Sequence, residues 1–243
     1  MSRFIRYCFV LLLASIPAVV KAQPVPPIVT DRPDFTESGI TVPVGSVQIE
    51  GGVTLSNANS ESSFSGSELL IRWSPANRFE FRVAAPDYVI ADGTATLADP
   101  SVGFKLQVGP LGPWDAAVIG VTSIPLGTDV SGLDTPEPGG IFAVGRDFGR
   151  FSLGTQISGF YDSVTEDLLG AATIVVGTGL SDKIGVFAEL AGEQQAVGDP
   201  AVLLHSGLTF EPLPLVQLDF HAATGFTDAG PDILIGAGLS IRQ

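Results

Sequence analysis

Twelve short stretches of this chain alternate apolar with polar residues, and the connections between them run short and long in turn. They cover residues 45–56, 67–74, 78–86, 101–109, 113–123, 140–148, 150–160, 169–180, 183–191, 201–210, 214–223 and 231–242. A period of two belongs to the β-strand, whose successive side chains point to opposite faces. In the last stretch Ile233, Ile235, Ala237, Leu239 and Ile241 share one face, and Asp232, Gly236, Ser240 and Arg242 share the other. The eleventh opposes Val216, Leu218, Phe220 and Ala222 to Gln217, Asp219 and His221. In the third, Phe79, Phe81, Val83 and Ala85 oppose Glu80 and Arg82, and in the fourth Val102, Phe104, Leu106 and Val108 oppose Lys105 and Gln107. The chain reads as all-β.

Charges stand at mid-strand on the polar faces, and two architectures accommodate them. A soluble sandwich or small barrel packs the apolar faces inward and leaves the charges in water. A membrane barrel turns the apolar faces to lipid and the charges to a wet lumen. The connections separate the two. Those at 74–77, 109–112, around Gly149, 181–182 and 211–213 are tight, whereas 57–66, 87–100, 124–139, 161–168, 192–200 and 224–230 are longer. An even-stranded outer-membrane barrel with both termini in the periplasm has short turns inside and longer loops outside. The expected fold is therefore an up-and-down antiparallel transmembrane β-barrel of about twelve strands, formed by residues 45–243, in the bacterial outer membrane. Mean hydropathy is positive, yet beyond Ala22 no stretch nears the ~20 consecutive apolar residues of a membrane helix.

Residues 1–22 carry Arg3 and Arg6, an apolar run from Phe9 to Val20, and Ala22 two residues further on. These are the parts of a cleaved signal peptide. Cys8, the one cysteine, lies inside it, so the mature chain has neither disulfides nor thiolate chemistry. Without Arg3, Arg6 and Lys21 the 12 basic residues fall to 9 against 26 acidic ones, a mature charge of −17. Nucleic acid is excluded as a partner on that balance.

Charge follows the loop pattern. The long connections contain Glu61, Asp87, Asp92, Asp99, Asp129, Asp134, Glu137, Asp162, Glu166, Asp167, Glu193, Asp199 and Asp228, and no Lys or Arg. Such loops attract divalent cations or cationic solutes. They also fit a surface of lipid and lipopolysaccharide bridged by divalent cations.

The opening TDRPDFTESGITVPVGSVQIEGG (Thr30 to Gly52), together with SDKIGVFAELAG (Ser181 to Gly192) and VQLDFHAATGFTDAGPDILIGAGLSIR (Val216 to Arg242), resembles the outer-membrane family named for the meta-pathway of phenol degradation. The resemblance implies a barrel of about twelve strands, described as a transporter and linked by name to aromatic catabolism. Such barrels commonly end in an aromatic residue that cues the assembly machinery. This chain departs from that pattern, ending Ile241-Arg242-Gln243.

Residues 23–44 are rich in proline, which lacks the N–H a sheet ladder needs. The segment is either a periplasmic tether or a plug that folds back into the lumen. Asp31, Arg32, Pro33 and Asp34 suit the plug, pairing with lumen charges of opposite sign. Alternation nominates Glu50, Glu68, Arg72, Glu80, Arg82, Lys105, Asp115, Gln156, Glu189, Gln217, Asp219, His221 and Arg242 for the lumen wall. They either line a solute pathway or close the barrel, with Arg72, Arg82 and Lys105 paired to Glu68, Glu80 and Glu50 across strands.

A hydrolase would need serine, histidine and acid in contact. His205 precedes Ser206, and His221 shares a strand face with Asp219, but no G-x-S-x-G elbow occurs. No H-x-x-H, H-E-x-x-H or phosphate loop calls for a metal or cofactor. The expected role is porin-like: passive or weakly selective passage of a small, apolar or aromatic molecule. The alternative is a closed structural or surface-interaction barrel.

Overall fold

The computed structural model describes residues 26–128 and 135–243. The signal peptide, Asp129 and Asp134 lie outside the described residues. Fourteen strands are present: β1 (Val47–Ala58), β2 (Glu61–Ala76), β3 (Phe79–Ala84), β4 (Tyr88–Ala91), β5 (Thr94–Leu97), β6 (Ser101–Gln107), β7 (Asp115–Ser123), β8 (Pro138–Phe148), β9 (Phe151–Asp162), β10 (Asp167–Ser181), β11 (Ile184–Glu193), β12 (Ala201–Leu213), β13 (Val216–Gly225) and β14 (Ile233–Arg242). Twelve of them close a barrel. Each pairs antiparallel with its neighbour in the order β1, β2, β3, β6 and onward to β14, and β14 pairs back to β1 with Gln48 opposite Arg242 and Asn57 opposite Ile233.

The faces are inverted relative to a soluble protein. Ile49, Trp73, Phe81, Phe104, Val118, Phe142, Ile157, Ile174, Leu190, Leu204, Leu218 and Leu239, one on each barrel strand, are exposed outward. Meanwhile the largest fully buried side chains include Arg72, Lys105, His205, Glu50, Glu80 and Glu189. A continuous apolar exterior around a polar interior suits lipid outside, and a soluble sandwich is ruled out by the same distribution.

Two of the expected long loops prove to be strand. Residues 57–66 are a hairpin that turns at Asn59 and Ser60, whose φ values of 52° and 70° give the mirror-image turn that matches strand twist. Residues 161–168 likewise continue β9 and β10, with Asp162 opposite Asp167. The Ser- and Asp-rich sequence at these tips resembles loop, but a ladder extending past the lipid satisfies its backbone in water equally well.

The connection 87–100 also holds structure. β4 and β5 form a hairpin through Asp92-Gly93, both at positive φ. Its β4 strand pairs with Ser63–Gly66 of β2, while β3 pairs with β2 from Leu70 onward. Ser67 and Glu68, both at positive φ, mark the point where β2 changes partner.

Candidate functional site

The barrel interior is where polar side chains and the irregular segment 26–44 meet. That segment bonds to inward residues on nine strands. Val29 O accepts from Gln48 and Arg72, and Val42 N donates to Glu80. Glu37 N donates to Gln156, Phe35 N to Glu189, and Thr36 Oγ1 lies 2.5 Å from Thr173 Oγ1. Lys105 and Gln217 donate to Asp31 and Thr30, and Arg242 donates to the carbonyls of Pro26 and Pro27. Reaching so many strands requires the segment to run inside the barrel, where the wall replaces the backbone partners that its prolines cannot supply.

Its anchor is an ion network on β2, β3 and β6. Asp31 Oδ2 lies 3.1 Å from Arg72 Nη1, 2.6 Å from Arg82 Nη1 and 2.9 Å from Lys105 Nζ. Burial alone would raise the Asp31 pKa, but Arg72, Lys105 and Arg82 together hold it well below the usual carboxylate range. Arg72 is further bracketed by Glu50 at 2.8 Å and Glu80 at 2.9 Å. Arg32 spans the lumen between Glu68 and Asp219, 3.3 Å from the latter.

The expected cross-strand pairing is therefore corrected in two places. Lys105 pairs with Asp31 and Glu37 instead of Glu50, and Glu68 takes Arg32 instead of a strand cation. The segment carries its own charges in, while Glu80, directly opposite Lys105 on β3, is engaged by Arg72 and Arg82.

Opposite this network, Glu189 Oε2 bonds His205 Nδ1 at 2.8 Å, and His205 Nε2 bonds His221 Nδ1 at 3.0 Å. Phe35 stacks on His205 with centroids 4.2 Å apart. Asp219 engages Arg32, not His221, and Ser206 falls on the outer face of β12 beside buried His205. No Ser-His-acid constellation forms among the described residues, and no group of three His, Cys, Asp or Glu there could hold a metal.

Asp115 sits exposed at the start of β7, and Asp34 lines the same cavity near the tight-turn end. Asp92, Glu166, Asp167, Asp199 and Asp228 are exposed at the opposite end. Asp99 is engaged, accepting from Leu126 N at 2.9 Å and from Gly127 N. Asp87, on the hairpin connection, has its pKa raised by partial burial against the lowering effect of the Ser67 hydroxyl.

Space remains beside the segment, chiefly along β7, β8 and β9. A cavity of about 390 Å³ opens toward the loop end, with Leu70, Ile119, Val121, Ile141 and Phe160 on its walls and Glu37, Glu68, Arg82 and Asp87 at its polar edge. Toward the turn end lie cavities of about 280 Å³ and 410 Å³, which share Thr30, Asp34, Asp147, Ser152 and Val175. The wall here carries Ala117, Ala143, Gly145 and Gly154, where the other half carries Arg and Glu. Gly145 and Gly154, without side chains, line the gap.

Reasoning from sequence missed Glu37, Thr36 and Phe35, which obey no alternation. It weighed His205 only beside Ser206, although the period of Leu203, His205 and Gly207 along β12 places it inside.

Among solved structures, the chain resembles the COG4313 outer membrane channel from Pseudomonas putida F1, at TM-score 0.64 and 12% identity over 85% of this chain and 98% of that one. It also resembles the NanC porin (TM-score 0.54, 9% identity, 80% of this chain and 98% of that one) and the KdgM porin (0.54, 9%, 81% and 98%). These likenesses show the fold. No curated protein matches the chain in sequence. The model of the family described as "Putative MetA-pathway of phenol degradation" matches residues 30–243, and the chain belongs to that family.

Proposed function

We propose that the chain is an outer-membrane channel for passive or weakly selective passage of a small molecule, with residues 26–44 as a plug in its lumen. The observation that carries this reading is the pair of cavity systems flanking the segment inside a lipid-facing barrel. A purely structural barrel has no need of such space. The relatives described as a channel and as porins support it, and so does a wall that changes from charged to small and apolar around the lumen. In this reading both termini face the periplasm, and the acidic loops face lipopolysaccharide and divalent cations. Assembly machinery inserts the barrel, and no chemistry is performed on the solute. The apolar walls of the outer cavity and the family's name favour a solute with an apolar or aromatic body.

A second reading, a closed barrel that transports nothing, is favoured by the Asp31 network, which seals one half of the lumen. Conductance of the refolded chain from Gln23 in a planar bilayer, under a salt gradient, decides between them. Stepwise conductance that grows in a variant beginning at Val44 supports the plugged channel. Silence from both chains, each correctly folded, overturns it in favour of the closed barrel.

A further inference from the structure

The outer and inner cavities are separate, and the barrier between them is thin. On their common wall β7 and β8 pair Ile119 with Ile141, Ala117 with Ala143, and Asp115 with Gly145. The first pair lines the outer cavity and the third lines the inner one. Ile119 and Asp115 are four residues apart, about 13.6 Å along the strand, and the alanine pair is the one inward-facing pair between them. One layer of side chains therefore divides the lumen here. Both alanines are 0% exposed.

Among the described residues, Glu37 is the one that lines both cavities. Its Oε1 accepts from Arg82 Nη2 at 2.8 Å, its Oε2 lies 3.2 Å from Lys105 Nζ, and its backbone N–H is fixed by Gln156 at 2.8 Å. The backbone is thus tied to β9, while the carboxylate is drawn toward β3 and β6. The side chain crosses between the two cavities. Neither cation depends on Glu37 alone, because Asp31 lies within 2.9 Å of both.

We propose that Glu37 is the gate of this lumen: rotation of its carboxylate away from Arg82 and Lys105 joins the two cavities into one path along β7 and β8. The inference rests on the channel reading above. Because Asp31 still holds both cations, the gate opens without unseating the rest of the segment. Its removal also leaves the neck more positive.

The test is planar-bilayer conductance of the refolded chain from Gln23 carrying Glu37→Ala, with heat-dependent gel migration as the check on folding. Conductance is expected to rise at least about three-fold, with the reversal potential shifted toward anions, because a ring that has lost an acid repels cations. Adding Ala143→Phe refills the neck and should return the conductance to wild-type level or below. Glu37→Cys is the only thiol in such a chain, and a membrane-impermeant thiosulfonate should react with it from either side. Folded Glu37→Ala protein that conducts like wild type, while the variant beginning at Val44 conducts more, overturns the gate and leaves the channel standing. Silence from wild type, Glu37→Ala and the shortened chain together overturns the channel as well.

Discussion

The Asp31 carboxylate lies 2.6 Å from the Arg82 guanidinium, so an acid on an irregular segment sits against a cation that β3 turns into the barrel. Arg72 and Lys105 close on the same carboxylate from β2 and β6. Three buried cations are tolerable here because Asp31 and Glu37 add their charge to that of Glu50 and Glu80 on the sheet.

Asp31→Ala should therefore free the segment without unfolding the barrel. Leaving three buried cations short of their common partner costs about 3–5 kcal/mol, while the strand ladders are untouched. Limited proteolysis should cut between residues 26 and 44 in the variant and spare the wild type, with heat-dependent gel migration unchanged in both.

Gly236 lies under the His221 ring, and a Cβ added there would overlap it. Since His221 is held by His205 and the wall is closed around it, Gly236→Ala should destabilise the barrel by about 1–3 kcal/mol. Gly140→Ala is the control, because the nearest atom to its added Cβ is 3.9 Å away. Urea titration of the refolded barrel in lipid vesicles should shift for the first variant and stay at the wild-type midpoint for the second.

Glu189 accepts from Phe35 N at 2.9 Å, Thr36 Oγ1 at 2.6 Å and His205 Nδ1 at 2.8 Å. Glu189→Ala leaves Phe35 N and His205 Nδ1 without an acceptor in a buried place, while Thr36 keeps Thr173, at a cost of about 3 kcal/mol. The same titration measures it. The His205 ring resonances should also lose the shift caused by Phe35 stacking.

The outward face offers a sharper contrast. Ile174 lies midway along β10 and is 48% exposed. Ile174→Arg should cost about 2–4 kcal/mol in a bilayer, whereas Ile174→Leu should be neutral. Folding yield into vesicles of increasing thickness reads the difference.

The parts of this molecule legible from sequence are those that repeat. Alternation located the twelve barrel strands and placed Glu50, Arg72, Glu80, Arg82 and Lys105 on inward faces, because period two leaves a strand no other choice. The residues that divide the lumen repeat nothing. Glu37 lies in a proline-rich stretch without regular dihedrals, and its partners Arg82 and Lys105 are brought near only by closure of the barrel. The tips were misread for a related reason. Serine, asparagine and aspartate favour turns, yet the same residues extend a hairpin into water when a partner strand is present. Asp92-Gly93 was the exception, a recognisable turn pair inside a stretch taken whole as loop.

The seam between β1 and β14 joins residues 47–57 to residues 233–242. No part of the chain can finish its circle until nearly all of it exists, so the last contact to form spans almost the whole sequence. Residues 26–44 precede the first strand yet end up surrounded by the others. The segment therefore completes its contacts only when the last strands are in place, since Gln217 and Arg242 are among its partners.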